Sequence, residues 1–200
     1  MSLGIFRDFR EILQKAFNNL EPGGYMESHE LYPKIYCTDG TMPADWELLE
    51  WTRLTDKAAM QLGTPLRIAN KLKTWYEQAG FVDVYEEVFH IPVNAWAKDP
   101  RDKLIGKFMM WNMCEGVHAW TVAYFIKALG WTEVEVEVYL AHLRTAIVDK
   151  SVHAFFKVYV VHGRRPRVDE LPSRVVKPVH WPQEPGSDDE GDEDEDAIFA

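Results

Sequence analysis

The chain has 200 residues, 46% of them hydrophobic and eight of them tryptophan, enough for one domain with a sizeable core and unlike a disordered protein. The formal net charge is −10, yet residues 166–200 hold eleven Asp and Glu against three Lys and Arg, which leaves −2 for residues 1–165. A nearly neutral body and an acidic tail both disfavour a phosphate backbone, so nucleic acid is not an expected partner.

Ile5, Phe6, Phe9, Ile12, Leu13, Ala16, Phe17 and Leu20 recur at three- and four-residue spacing and predict an amphipathic helix with one buried stripe. Pro22-Gly23-Gly24 ends it, because glycine accepts positive φ at a helix end and proline cannot continue the turn. Residues 25–33 alternate loosely and predict a strand that stops at Pro33. Asp39-Gly40 and Pro43 give the following segment turn chemistry. A helix is expected over 45–62, capped by Asp45, with Trp46, Leu49, Leu54, Ala58 and Leu62 on its apolar face. Gly63-Thr64-Pro65 separates it from another over 66–79, which carries Ile68, Ala69, Leu72, Trp75 and Tyr76 and closes at Gly80.

Phe81–Val93 is rich in β-branched and aromatic residues and reads as a strand ended by Pro92. Two long helices are expected over 101–129 and 133–149, split by Gly130, with Thr132 capping the second. His153–Val161 is the plainest strand, and Gly163-Arg164-Arg165-Pro166 terminates it. From 166 onward five prolines and the run Asp188–Asp196 leave too little apolar area to offset ordering entropy, so 167–200 is expected to be a disordered acidic tail. Such runs are usually solvating, although a basic partner could use one.

Cys37 and Cys114 are the only cysteines, and the N-terminus resembles neither a secretory h-region nor an acid-poor transit peptide; cytoplasm or nucleus is the expected compartment. The longest apolar region, Leu104–Trp131, carries Lys107, Asn112, Glu115, His118 and Lys127, which argues for a core helix and against a membrane partner. No His-Glu-x-x-His or Cys-x-x-Cys spacing supports a metal, and no Gly-x-Ser-x-Gly elbow supports a serine hydrolase.

The order helix, Pro22-Gly23-Gly24, strand, helices, Ala79-Gly80-Phe81, strand, helical insertion, final strand resembles the C-terminal half of class I S-adenosylmethionine-dependent methyltransferases. More narrowly the chain is similar to the LaeA-like fungal methyltransferases. The likeness rests on Leu20–Glu27, Trp46, Trp51, Ile91-Pro92-Val93 through Trp96, Gly130-Trp131, and His153-Ala154-Phe155 through Pro166. It covers residues 1–166, the expected domain. The fold it implies is α/β: the last three strands of a Rossmann-like sheet, the final one antiparallel, with helical insertions. It also implies S-adenosylmethionine as cofactor, an unidentified small-molecule or protein acceptor, and a setting in fungal secondary metabolism. The departure is that no strand is followed by a glycine-rich turn, so the cofactor-binding half is missing and cofactor-binding residues are assigned to none. A truncated, inactive family member and a non-enzymatic regulatory or protein-binding fragment both remain open.

The resemblance makes Glu27, His29 and Glu30 substrate-side candidates near the carboxyl end of the first strand, against the alternative of a solvated strand end. Trp96 follows the second strand, and Trp111, His118 and Trp120 lie on the long insertion; a lid over the acceptor competes here with the more favoured reading of packed core. His153 opens the last strand, either as a substrate-side contact or, preferred, as a strand-start hydrogen bond. No catalytic residue is assigned. The first strand would pair on one side with a strand absent here, so self-association or a sheet-completing partner is expected.

Overall fold

The computed structural model describes residues 6–170; Ile5 of the first apolar stripe and residues 171–200 of the acidic tail lie outside the described residues. Five α-helices and three strands follow in the order α1 (Phe9–Asn19), β1 (Tyr25–Tyr36), α2 (Glu47–Gln61), α3 (Leu72–Ala79), β2 (Val82–Pro92), α4 (Pro100–Tyr124), α5 (Glu133–Val148) and β3 (Phe155–Arg164). A 3-10 turn, Ala69–Lys71, precedes α3, and a π-helical turn, Phe125–Leu129, continues α4 to Gly130. Capping chemistry sets several ends. Asp8 accepts from the Arg10 amide, Asp99 from those of Arg101 and Asp102, and Thr132 forms a reciprocal capping box with Glu135. Gly80 ends α3 at φ 99°, a left-handed conformation that glycine adopts without Cβ strain.

The sheet order is β1-β3-β2, with β3 antiparallel to both neighbours. β1 and β2 are therefore parallel to each other, with the last strand inserted between them. This is the expected α/β arrangement, three strands with the final one antiparallel.

Several boundaries differ from expectation; the last strand begins at Phe155, not His153, and its pairing carries it through Gly163 to Arg164. β1 does not stop at Pro33: the register with β3 shifts between Tyr32 and Ile35, so Pro33 and Lys34 sit in a bulge and the strand runs on to Tyr36. A bulge on an edge strand releases the ladder bond that proline could not make. Asp45 does not cap α2; Trp46 occupies the cap position without a side-chain hydrogen bond. The expected helix over 66–79 begins only at Ala69, as the 3-10 turn. Finally, a structured turn continues to Glu170, past the expected limit at 166. The Arg164 side chain, only 8% exposed, forms a fork with Glu170 at 2.6 and 3.1 Å and donates to Asp83 at 2.8 Å. Burying a guanidinium requires such partners, and Glu170 is one of them.

Three apolar clusters pack against the sheet, the smallest formed by Tyr32, Tyr36, Ala69, Phe155 and Tyr159. Phe9 and Leu13 of α1 and Leu72, Trp75, Tyr76 and Ala79 of α3 pack on one face with Phe81 and Val161. There the buried Tyr76 hydroxyl shares a 2.6 Å hydrogen bond with Ser28, and burial pushes its pKa up to about 12. The larger cluster joins α2, α4 and α5 to the end of the sheet through Leu31, Ile35, Val93 and Phe156. α4 buries the seam Gly106, Met113, Val117 and Thr121, not its tryptophans: Trp111 is 64% exposed and Trp120 is also exposed, which overturns the core reading for both. Trp51 Nε1 donates to Thr121 Oγ1 at 2.8 Å and ties α2 to α4. Asn94 Nδ2 donates to the carbonyls of Ile147 and Asp149 at 3.1 and 2.9 Å, tying the end of α5 to the end of β2.

Gly106 packs so tightly on that corner that a Cβ would lie 2.0 Å from the Asn94 carbonyl oxygen. Gly106→Ala is expected to cost roughly 1–3 kcal/mol by forcing backbone apart, read as a lowered urea midpoint. A second expectation concerns Glu170, whose carboxyl the Arg164 guanidinium, with help from the Arg167 amide, holds at about 2 against an ordinary 4.5. A depressed carboxylate contributes stability that is complete above its unfolded pKa and lost as pH falls through the folded one. The melting temperature of the wild-type chain should thus lose an increment between about pH 4.5 and pH 2 that Glu170→Gln lacks at every pH. Truncation after Pro166 should lower the melting temperature, whereas truncation after Glu170 should not.

Candidate functional site

The parallel strands β1 and β2 end together, and β3 begins beside them. Three connections therefore meet at one edge: residues 37–46 after β1, 93–99 after β2, and 149–154 before β3. Open α/β sheets bind their ligands at the carboxyl ends of parallel strands.

At this edge His153 Nδ1 lies 2.5 Å from Asp39 Oδ2. The other carboxylate oxygen accepts from the Thr41 amide at 3.1 Å, the Thr41 hydroxyl at 2.8 Å and Cys37 Sγ at 3.3 Å. The His153 amide donates to Thr41 Oγ1 at 2.9 Å and pins the two connections together. Trp96 stacks on the imidazole, centroids 4.9 Å apart and planes 26° from parallel, while its indole nitrogen donates to the Ala154 carbonyl at 2.8 Å. The hydrogen bond from His153, with those from Thr41 and Cys37, holds the Asp39 carboxyl well below the usual carboxylate range against a smaller opposing desolvation. A carboxylate on Nδ1 fixes the ring's orientation and, in the neutral imidazole, favours the tautomer with its proton on that nitrogen and the lone pair on Nε2.

Of the six candidates from the sequence, only Trp96 and His153 meet at this edge. Glu27 and His29 form a 2.6 Å pair on the exposed sheet face, in the first half of a strand that ends seven residues after His29; they are not at its carboxyl end. The bulge at Pro33 is the reason. Glu30 points to the opposite face, across from Tyr159, and is 4% exposed. His118 on α4 pairs at the surface with Glu137 on α5 at 2.9 Å, away from this edge. Asp39, Thr41 and Cys37 escaped sequence reasoning, since Asp39-Gly40 carries turn chemistry whatever else it does. Among the described residues no group of three or more His, Cys, Asp or Glu is placed to hold a metal ion, and no helix is long and apolar enough to cross a membrane.

The chain is 30% identical over 159 residues to the probable methyltransferase tdiE of Emericella nidulans, a match covering 80% of this chain and 50% of that protein. It is 32% identical over 163 residues to the methyltransferase pytC of Aspergillus terreus, with 82% and 50% covered. It is 28% identical over 169 residues to the secondary metabolism regulator LAE1 of Cochliobolus heterostrophus, with 84% and 55% covered. Its homologues are fungal methyltransferases and secondary metabolism regulators, matched in part. It spans about half the length of the curated relatives it matches. No protein-family model matches it. Among solved structures it is similar to an N-methyltransferase of Haemonchus contortus at 11% identity and a TM-score of 0.36, covering 82% of this chain and 32% of that one, too distant to carry weight.

The family's cofactor, S-adenosylmethionine, needs a glycine-rich cradle after a strand, and the described residues do not fit it. Gly23-Gly24, their only paired glycines, precede β1 at its amino end. The Gly23 amide donates to the Arg165 carbonyl at 2.9 Å, and the Arg165 amide donates to the Gly24 carbonyl at 2.8 Å. A Cβ on Gly24 would meet the Glu21 carbonyl at 2.9 Å, and one on Gly23 would touch Arg167 at 3.6 Å. The turn is closed by its own chain. Arg165 also donates to the Leu20 and Asn18 carbonyls and lies 5.5 Å over Phe17, filling the remaining space.

The dyad itself can be checked. Two-dimensional ¹H–¹⁵N spectra of the imidazoles should show the neutral form of His153 with its proton on Nδ1, and Asp39→Asn should abolish that preference while leaving His118 unchanged.

Proposed function

We propose that this chain is the acceptor-side portion of a class I S-adenosylmethionine-dependent methyltransferase, and that alone it neither binds the cofactor nor turns over. The observation that carries this reading is the closed Gly23-Gly24 turn, set beside homology to methyltransferases over four-fifths of the chain. The carboxyl edge with His153, Asp39 and Trp96 supplies groups suited to an acceptor, while the described residues offer no cradle for the methyl donor. The acceptor is a small molecule or protein of fungal secondary metabolism, a setting taken from the printed names of the relatives. Cytoplasm or nucleus is the compartment that fits the two half-buried free cysteines.

A second reading, a regulatory or protein-binding role without catalysis, is favoured by surfaces that have no cover among the described residues. The face of the sheet opposite α1 and α3 carries Tyr25, 60% exposed, and Tyr85, 54% exposed, with His162 between them at ring distances of 6.3 and 5.4 Å. On α4, Leu104, Phe108 and Trp111 form an exposed apolar stripe. Among the described strands β1 pairs only with β3, so its other edge borders no strand. A partner that completes the sheet, or a second copy, would pair with that edge.

Isothermal titration of the purified chain with S-adenosylmethionine decides the first reading: no saturable heat is expected, and a micromolar isotherm would overturn it. Size-exclusion chromatography with light scattering over a tenfold concentration range addresses the free edge. Concentration-dependent association is expected, and a monodisperse, cooperatively melting monomer would show that the edge needs no partner.

A further inference from the structure

We infer that His153 Nε2 is the proton acceptor for a hydroxyl-bearing, flat aromatic ligand, a phenol, bound at the carboxyl edge of the sheet. The contrast with the other two histidine–carboxylate pairs described above is chemical. In His29–Glu27 and His118–Glu137 the carboxylate holds Nε2, the outer nitrogen, so the pair closes on itself at the surface. At His153 the carboxylate holds Nδ1, next to the backbone, and the outer nitrogen keeps its lone pair.

The ring is fixed before any ligand arrives. Asp39 accepts four hydrogen bonds, from His153, from Thr41 twice and from Cys37, so its own position is determined. Trp96 covers one face of the imidazole and is itself tied to the Ala154 carbonyl. The His153 side chain is partly exposed, so its outer edge meets solvent. A base whose orientation is set by hydrogen-bonded and stacked partners, and whose side chain is open to solvent, has the arrangement general-base chemistry needs.

The ligand class follows from what needs a base. A thiol, with an ordinary pKa of about 8.5, is partly ionised near neutrality, whereas a phenol near 10 keeps its proton. The Trp96–His153 stack offers a planar aromatic wall alongside the nitrogen. In the step, the ligand's O–H bond breaks and its electron pair remains on oxygen. The proton moves to Nε2, and the imidazolium is stabilised through Nδ1–H by the Asp39 carboxylate, which stays ionised. What consumes the oxygen nucleophile, an electrophilic methyl donor, rests on the proposed function; the proton transfer does not.

The experiment titrates the full chain, ¹⁵N-labelled at histidine, with phenol, 4-cyanophenol and 4-nitrophenol, and with anisole as a control lacking the hydroxyl. The phenols should move the His153 Nε2 resonance selectively, with affinity rising as the probe becomes more acidic, and anisole should not. His153→Gln should weaken binding about tenfold or more. Asp39→Asn, nearly isosteric, should remove the dependence on probe acidity even if binding persists. Absence of phenol binding up to millimolar concentration overturns the inference, as do equal shifts at His29 and His118 or equal binding of anisole. Titration with S-adenosylmethionine is scored separately: binding there overturns the cofactor half of the proposed function and leaves the phenol result standing.

Discussion

Hydrogen bonding along both edges of β3 is the constraint from which the rest of the molecule follows. Antiparallel pairing to β1 on one side and to β2 on the other makes those two strands parallel, and sets them two strand spacings apart, about 10 Å. Their carboxyl ends then lie on the same side as the beginning of β3. Asp39, Trp96 and His153 come from three connections separated by up to 114 positions in sequence, and only this pairing brings them within contact.

The helices divide their work according to that edge. α1 and α3 cover one face and close it with Phe9, Leu13, Leu72 and Trp75. α2, α4 and α5 instead gather beyond the strand ends and build a separate apolar cluster over them. Because that second cluster meets the sheet only at its margin, specific ties hold it in place. Gly106 against Asn94, Asn94 to the end of α5, and Trp51 to Thr121 are those ties. The long amphipathic insertion consequently ends up with tryptophans outside and small or unbranched residues inside, the reverse of what aromatic content alone suggests.

A functional asymmetry results. The carboxyl edge presents a supported proton-accepting group, and the amino end presents a glycine turn sealed by Arg165 and Arg167. The chain is similar to fungal methyltransferases over about half of their length, and the described residues offer no glycine-rich cradle after a strand. The Tyr25–His162–Tyr85 row lies on an exposed sheet face, and the outer edge of β1 borders no other described strand.

Much of the fold was legible in the sequence because local chemistry dictates it. Gly80 ends α3, Thr132 with Glu135 starts α5, the β-branched run after Phe81 makes a strand, and the ordered motifs carry the family likeness. Three particulars were not. Pro33 reads locally as a strand end, yet cross-strand pairing to β3 absorbs it in a bulge, and this moves Glu27 and His29 away from the edge where they were expected. Arg164 and Glu170 are six residues apart with nothing in the sequence to couple them; burial of the guanidinium creates the demand that extends the fold. Asp39 reads as a turn residue and is one; His153 reads as a strand start but lies two residues before β3, in the connection that its amide pins to Thr41. Their joint chemistry exists only because antiparallel pairing sets one connection against the other. Periodicity and turn residues are short-range properties and could determine the elements, whereas a hydrogen bond across 114 positions depends on the sheet's register, which only the folded chain decides.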